Sequence, residues 1–386
     1  MTRSRRLRGL LAVLAVLTSS HVAALASGWH RDEQGAKATA LAQAVTAHVD
    51  DPSAVYYNPA ALAFVRDRAF YLGFSLTEAA VADFSGVGEG GERSIESRAR
   101  PHVYWVEPVA GRWAVGLALH QPVGFESKWE QADQWPGRFE ARRVALEAWD
   151  LDAVAALRVR PTLGVSAGVV LRGARLTWTR DEAGAVSGLR SDRGTVVGAV
   201  LAVQHRPPGR WSWGLRWRAG ISTTLDGAGS AWSARLSLPD RLTLGVAFAP
   251  SPTARLEVDL DHTGWSSLND FEIRFDDQPA LDRDPVSGWR SRLATRIGLR
   301  WYGLGNGEWR AGVFSDPTPQ PESDLGPFFV DADRFGASIG YGTRVRRLQT
   351  DMALVWEEHD TRSTSTHGFD GEYATRLVRL VLSFGW

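Results

Sequence analysis

Residues Gly164-Val165-Ser166-Ala167-Gly168 spell G-x-S-x-G, the spacing that sets a serine nucleophile on a sharp strand-to-helix turn. Here Leu163, Val165, Ala167 and Val169 alternate with small residues, which is the period of an unbroken strand and leaves no elbow to present the hydroxyl. Asp259-Leu260-Asp261-His262 offers two carboxylates and an imidazole, ligand types suited to a divalent ion. Neighbouring strand residues point to opposite faces, so His262 cannot join the two aspartates. The nine histidines form no H-E-x-x-H or H-x-x-E-H pair. Without cysteine there is neither a thiolate site nor a disulfide framework. The chain is expected not to be an enzyme and to use no metal and no cofactor.

The charged residues are more orderly than these motifs. Arg255, Glu257, Asp259 and Asp261 oppose Leu256, Val258 and Leu260, while Arg290, Arg292, Arg296 and Arg300 oppose Leu293, Ile297 and Leu299. Each segment has one apolar and one ionic face. If the apolar face meets lipid, a charge placed there at mid-bilayer would cost ~2–4 kcal/mol, so the ionic stripes must line a lumen. Acid and arginine stripes on adjacent strands could then pair.

The elements that carry these faces are strands. Fourteen strand-like segments follow one another from Ala69 to the C-terminus, without a convincing amphipathic helix between them. The third is predicted over 112–123, the seventh over 210–225 and the eighth over 232–250. In the eighth, Leu238-Pro239-Asp240 divides a lead-in from a shorter strand. Connections alternate between tight turns, such as Pro108–Gly111 and Ser251–Pro252, and long loops, such as 83–93, 124–143, 179–193, 266–289 and 316–333. A barrel inserted from one side of a membrane sorts its loops in this way.

Tryptophan supports the same reading. Of the 17, Trp105, Trp113, Trp211, Trp301, Trp309 and Trp386 fall at one set of strand ends, and Trp178, Trp232, Trp265, Trp289 and Trp356 at the other. Two aromatic girdles are expected. In the last strand Val378, Leu380, Leu382, Phe384 and Trp386 alternate with Leu377, Arg379, Val381, Ser383 and Gly385. Mean hydropathy is only −0.21 because a barrel hides its apolar face in alternation.

The N-terminus reads as a processing segment. Arg3, Arg5, Arg6 and Arg8 precede the apolar stretch Leu10 to Leu17, and Ala24-Leu25-Ala26 fits a cleavage site. Removing those four arginines takes the chain from zero net charge to −4, which gives no basic footprint for nucleic acid. Three parts follow: a signal peptide over 1–26, a non-strand plug over 27–65 and a transmembrane barrel over 66–386. The fold class is all-β, a fourteen-stranded antiparallel transmembrane β-barrel with an N-terminal hatch in its lumen.

Several short motifs stand in a fixed order on this pattern. Asp50-Asp51 leads to Tyr57-Asn58-Pro59-Ala60-Ala61-Leu62, the loop Trp135-Pro136-Gly137-Arg138-Phe139-Glu140-Ala141 follows, and Leu238-Pro239-Asp240-Arg241-Leu242 runs on to Asp261 and Trp265-Ser266-Ser267. With these the mature chain resembles, over nearly its whole length, the FadL family of outer-membrane transporters for long-chain fatty acids and related hydrophobic compounds. The resemblance implies a hatch whose Asn-Pro-Ala motif is Asn58, Pro59 and Ala60. It also implies an N-terminal Gly28-Trp29 that reaches the ligand pocket, with Trp29 as a ligand contact. Trp135, Arg138 and Phe139 would stand near the outer entrance. Pro122 and Gly124, at the top of the third strand, would form the inward kink that opens the wall sideways. Lys37, Thr39 and Gln43 depart from the small residues usual in that hatch.

The implied partners are a hydrophobic small molecule (a long-chain fatty acid or an aromatic hydrocarbon), outer-membrane lipid, and the barrel-assembly machinery reached through the strand that ends in Trp386. The expected site of action is the bacterial outer membrane, with the protein working as a monomer. A general-diffusion or structural barrel, with residues 27–65 merely filling the lumen, is the alternative.

Overall fold

The computed structural model describes residues 29–86, 91–94, 99–109, 111–129, 136–182, 185–229, 231–302, 307–364 and 371–386. The proposed signal peptide lies outside them. No helix among the described residues is long and apolar enough to cross a membrane.

Fourteen antiparallel strands close into a barrel. In order they are Ala69–Gly86, Gly91–Ser94 with Ala99–Pro108, Trp113–Trp129, Arg143–Arg160, Leu163–Glu182, Ala185–Arg190 with Gly194–His205, Trp211–Arg218, Arg241–Ser251, Ala254–Thr263, Arg292–Tyr302, Gly307–Asp316, Arg334–Val345, Leu348–Thr364 and Gly371–Gly385. The first and last strands pair from Tyr71↔Gly385 upward, and Phe70 and Trp386 exchange backbone hydrogen bonds of 2.9 and 3.0 Å at the seam. Closure at this seam pairs the two strand edges that would otherwise face lipid.

The strand count and the alternation hold, while three details differ from expectation. The seventh barrel strand stops at Arg218. Ile221–Asp226 and Trp232–Leu238, assigned from sequence to the seventh and eighth barrel strands, pair instead with each other and with Glu272–Phe275 in a separate three-stranded sheet. Gly220 and the Pro239 break release this hairpin from the wall, because proline cannot donate to a central ladder. Loops 83–93 and 179–193 are largely strand, with Thr177↔Arg190 to Glu182↔Ala185 continuing the ladder. Polar residues beyond the bilayer can keep pairing, which satisfies their backbone groups.

The tryptophan girdles are only half as predicted. Trp113, Trp211, Trp301, Trp309 and Trp386 are exposed on the outer surface near the tight turns. Trp178, Trp232, Trp265 and Trp289, expected in the other girdle, are at most 3% exposed and pack together beneath the loops. The loops fold inward over the barrel mouth and take these rings with them. Trp356 alone of that set is exposed.

Residues 29–65 lie inside the barrel. Two single-turn helices, Ala36–Thr39 and Ala54–Tyr57, and a 3-10 helix, Pro59–Phe64, make up its regular structure. The wall closes on it through glycines. A Cβ at Gly116 would meet Val55 at 2.6 Å, at Gly164 the Ala60 carbonyl at 2.5 Å, at Gly245 the Ala47 amide at 2.8 Å and at Gly298 the Leu41 carbonyl at 2.8 Å. Gly214, Gly312 and Gly340 are equally tight against Thr46, Leu41 and Ala40.

Asn58 is the central polar fastening of this segment. Fully buried, it donates to the Thr46 carbonyl at 2.7 Å and the Val203 carbonyl at 3.2 Å, and accepts from the Ala60 amide at 3.1 Å. Pro59 then fits the first position of the 3-10 helix, where no amide is needed. Asn58→Ala should leave the Ala60 amide unpaired at ~1–3 kcal/mol, while the Thr46 carbonyl keeps its bond from Gln204 Nε2 at 3.2 Å. The expected result is faster backbone amide exchange over residues 45–62 with the barrel ladder unaffected; uniform exchange rates would contradict it.

Candidate functional site

The third strand carries the feature that organises the site. Its register with the fourth strand shifts between His120 and Val123, and Gly124 takes a positive φ of 149°. Its ladder with the second strand runs from Pro108↔Ala114 to Val103↔Leu119. Among the described residues it resumes only at Ser94↔Lys128 and Arg93↔Trp129. Among the described residues the pairing with the second strand is therefore interrupted beside Pro122 and Gly124.

The N-terminal segment occupies the strand edge left free there. His30 bridges Val123, the Arg31 amide donates to the Pro122 carbonyl at 2.9 Å, and the Gly124 amide donates to the Trp29 carbonyl at 3.0 Å. A cavity of about 250 Å3 remains at the gap, lined among others by Arg31, Pro101, Gln121, Phe125 and Trp149.

Trp29 points from this edge into the aromatic cluster under the loops. Its ring lies 4.8 Å from that of Phe329, 4.9 Å from Phe125, 5.8 Å from Trp289 and 6.3 Å from Phe271. Val144, Leu146 and Leu176 of the wall and Leu236 and Ile273 of the small sheet complete the cluster. Trp29 is 4% exposed, and its ring takes up the apolar space within this cluster.

A second cavity, about 630 Å3, opens above it. Phe139, Trp178, Arg180, Phe328 and Phe329 contribute to its lining. Phe139 is 56% exposed, and Arg138 stacks 4.3 Å from its ring while pairing with Asp181 at 3.1 Å. Phe328 and Phe329 belong to both spaces, so a single aromatic wall separates them. Trp135 lies outside the described residues. Trp129 turns away to pack with Phe84, Leu325 and Tyr373, donating from Nε1 to the Pro327 carbonyl at 3.0 Å.

Below the aromatic cluster the lumen is ionic. Arg241, Asp261, Arg296, Asp316, Arg334, Glu357 and Arg379 come from seven consecutive strands, the eighth to the fourteenth, and alternate in charge. Asp32 enters this belt from the N-terminal segment. It accepts from both Arg241, at 3.1 Å, and Arg296, at 2.8 Å. Burial would raise its carboxyl, but these guanidiniums hold it well below the usual carboxylate range. Its contribution to seating the segment is thus present above the ordinary aspartate range and lost only as pH falls through that depressed value. His30, next to it, is pushed down to about 3 by burial, with Arg241 adding to the effect, and packs as a neutral ring 4.9 Å from Trp265.

The sequence placed Glu257, Asp259, Asp261, Arg296 and Arg300 correctly on the lumen face but misassigned some partners. Glu257 and Asp259 bind no arginine stripe; they accept from the backbone amides of Ala47, Val45 and Thr46. Arg300 pairs with Asp50 at 2.7 Å. Of the hatch departures, Lys37 pairs with Asp50 at 2.6 Å, Thr39 bonds the Gly35 carbonyl at 2.8 Å and Gln43 accepts from Arg296 at 2.8 Å. Asp32 was missed because nothing local distinguishes it from any polar residue near an N-terminus.

The chemical motifs resolve as structure. Ser166 sits within Leu163–Glu182, with no strand-to-helix turn. His262 is exposed while Asp259 and Asp261 are buried. His120, Asp150 and Asp152 come close enough to hold an ion. Arg172 already donates twice to Asp150, at 2.6 and 2.7 Å, and Arg218 binds Asp152. The two acids are neutralised by two arginines, and the donor set does not fit a cation.

A family model for outer membrane transport proteins (OMPP1/FadL/TodX) matches residues 15–205. The chain belongs to this FadL/TodX family. A FadL homologue of Pseudomonas aeruginosa superposes with a TM-score of 0.81 at 19% identity, covering 93% of this chain and 99% of that one. The toluene transporter TodX of P. putida gives 0.69 at 13%, over 93% and 98% of the two chains. The toluene transporter TbuX of Ralstonia pickettii gives 0.67 at 16%, over 90% and 97%. At these identities the likeness establishes the shared barrel fold. A Neisseria meningitidis serogroup B protein, NMB0088, named for an outer-membrane location, is 27% identical over 116 residues, which is 28% of this chain and only 25% of that relative. This FadL/TodX-family chain is an outer-membrane β-barrel.

Proposed function

We propose that this protein takes up hydrophobic small molecules, long-chain fatty acids first among them, across the bacterial outer membrane. Residues 1–26 direct export and are removed. Residues 27–65 act as the hatch, with Asn58, Pro59 and Ala60 as its anchor. Ligand is captured in the outer cavity at Phe139, with Arg138 stacked on that ring and Trp135 as a further contact carried over from the family resemblance, and passes the Phe328–Phe329 wall to the place held by Trp29. It leaves through the wall at Pro122 and Gly124. Burial of each methylene is worth ~0.8 kcal/mol, so release into periplasmic water would forfeit what capture gained, whereas exit into the membrane would not.

One observation carries this reading. A single short segment fills the apolar pocket with Trp29, closes the wall gap with His30 and Arg31, and engages the ionic belt with Asp32. Displacing Trp29 therefore couples pocket occupancy to the opening of a side exit. The belt favours acidic amphiphiles over toluene-like hydrocarbons. The C-terminal strand to Trp386 would serve the assembly machinery, and a single barrel suffices as the working unit.

Uptake of radiolabelled oleate and toluene by cells that lack their own FadL-type protein and express this chain tests the reading. Severalfold faster oleate uptake than in vector controls is expected, with toluene the poorer substrate. Toluene preference would move the assignment to an aromatic-hydrocarbon transporter, and no uptake of either would remove the transport role.

A further inference from the structure

The ionic belt is unbalanced without the N-terminal segment. Its seven strands supply Arg241, Arg296, Arg334 and Arg379 against Asp261, Asp316 and Glu357. Arg216 adjoins on the seventh strand and meets no carboxylate among the described residues, donating to the Tyr56 carbonyl at 3.0 Å and to Thr243 at 2.8 Å. Asp259, opposite Arg296 in the ladder, is turned to the Val45 and Thr46 amides, so five arginines face three ion-paired acids here, and residues 32–33 add two more: Asp32 bridges Arg241 and Arg296, and Glu33 accepts from Arg379 at 3.2 Å. The other lumen clusters carry matched wall charges, with Arg300 pairing in addition with Asp50 of the segment at 2.7 Å. Asp150 and Asp152 balance Arg172 and Arg218, and Glu308 and Asp351 balance Arg300 and Arg310.

The shortage sits directly beneath the apolar pocket. Asp32 follows Trp29 by three residues, a reach of at most ~10 Å. A backbone shift that withdraws Trp29 from the aromatic cluster by more than this tether allows draws Asp32 from the two guanidiniums as well. Arg241 then keeps only Asp261, and Arg296 shares Asp261 with it and Asp316 with Arg334, so buried positive charge is in excess and the vacated place favours a replacement anion. An amphiphile with its tail in place of Trp29 brings a carboxylate to the same depth, and arginine pairs are suited to bind it through two oxygens.

We propose that Arg241 and Arg296 form a carboxylate-binding site for the ligand head group, which Asp32 occupies while the hatch is seated. The site deepens the transport reading above and rests on it: the ligand's carboxylate and Asp32 compete for one pair of arginines. An acidic amphiphile offsets the loss of the Asp32 contacts; a neutral molecule of the same tail does not. The wall thereby selects acids, while Asp32 sets how hard the hatch is to displace for any ligand.

These two roles separate in equilibrium binding of palmitate and methyl palmitate to the folded protein in nanodiscs, with empty nanodiscs as the partition background and heat-modifiable gel mobility as the folding check. The intact chain should prefer palmitate by about tenfold or more, the difference that one charge-assisted contact supports. Arg296→Gln should bring the two affinities together. Asp32→Asn, which weakens only the seated state, should tighten both ligands by a common factor and keep the preference. Arg241→Gln repeats the arginine arm should Arg296→Gln fail to fold. Equal affinities in the intact chain, a preference that survives loss of either arginine, or an Asp32→Asn variant with unaltered affinities would each overturn the competition. If neither ligand binds the intact chain or Asp32→Asn, it is the transport reading that falls.

Discussion

Deleting residues 27–44 should turn a sealed barrel into a steady ion-conducting pore in planar bilayers, while the intact chain passes almost no current. The described part of that stretch packs inside the barrel against the wall on several sides. The Ala36 amide donates to Ser383 and the Ala42 amide to Ser338, each at 3.0 Å, and Leu41 fills the space left by Gly298 and Gly312. Trp29 is the centre of the aromatic cluster that closes the outer mouth. With the stretch gone, the arginines and acids of the belt would be hydrated, which suits a polar pore lining. The barrel itself should persist, because its ladder closes independently between the first and last strands. Oleate uptake should lose its gating. A deletion variant that stays non-conducting and takes up oleate at the intact rate would refute the hatch assignment. An intact chain that already conducts steadily would favour a general-diffusion porin.

The second large effect is expected from Gly312→Val. An added Cβ would lie 2.5 Å from the Ala42 backbone nitrogen and crowd the Leu41 carbonyl carbon as well. Neither neighbour is a side chain that can swing away, so the N-terminal segment must shift as a whole. Overpacking of this kind costs ~1–3 kcal/mol or more. The strand's own pairing does not involve the added group, so heat-modifiable mobility should be retained. Limited proteolysis from the periplasmic side should then cut within residues 29–65, where the intact protein resists. Equal protease resistance of variant and parent would show that the glycine ring is not what seats the segment.

Much of the barrel was legible in the chain. In the last strand, Val381, Ser383 and Gly385 face inward and are buried, while Val378, Leu382 and Phe384 face outward, as alternation alone requires. Arg296 and Asp261 had to face the lumen because lipid excludes charge. The break at Pro122 was visible because proline cannot serve a continuous ladder. The external tryptophans were misplaced for a complementary reason. Trp178 and Trp289 stand at strand ends in sequence, but whether a ring faces lipid or a folded loop depends on where the loops go. The hairpin Ile221–Asp226 and Trp232–Leu238 has the strand pattern of the wall, and only its partners reveal that it left.

The amino-acid order alone thus determines the parts governed by short-range rules: strand alternation, the number of barrel crossings, the polar lumen and the non-strand plug. A period of two and the cost of charge in lipid act within a few residues, so they can be read locally. Only the folded chain decides which charges meet. Asp32 lies 209 residues from Arg241 and 264 from Arg296. Closing the barrel brings them together, since its curvature sets seven strands around one point in the lumen. The surplus of arginine at that point, and the carboxylate that fills it, exist only at that level.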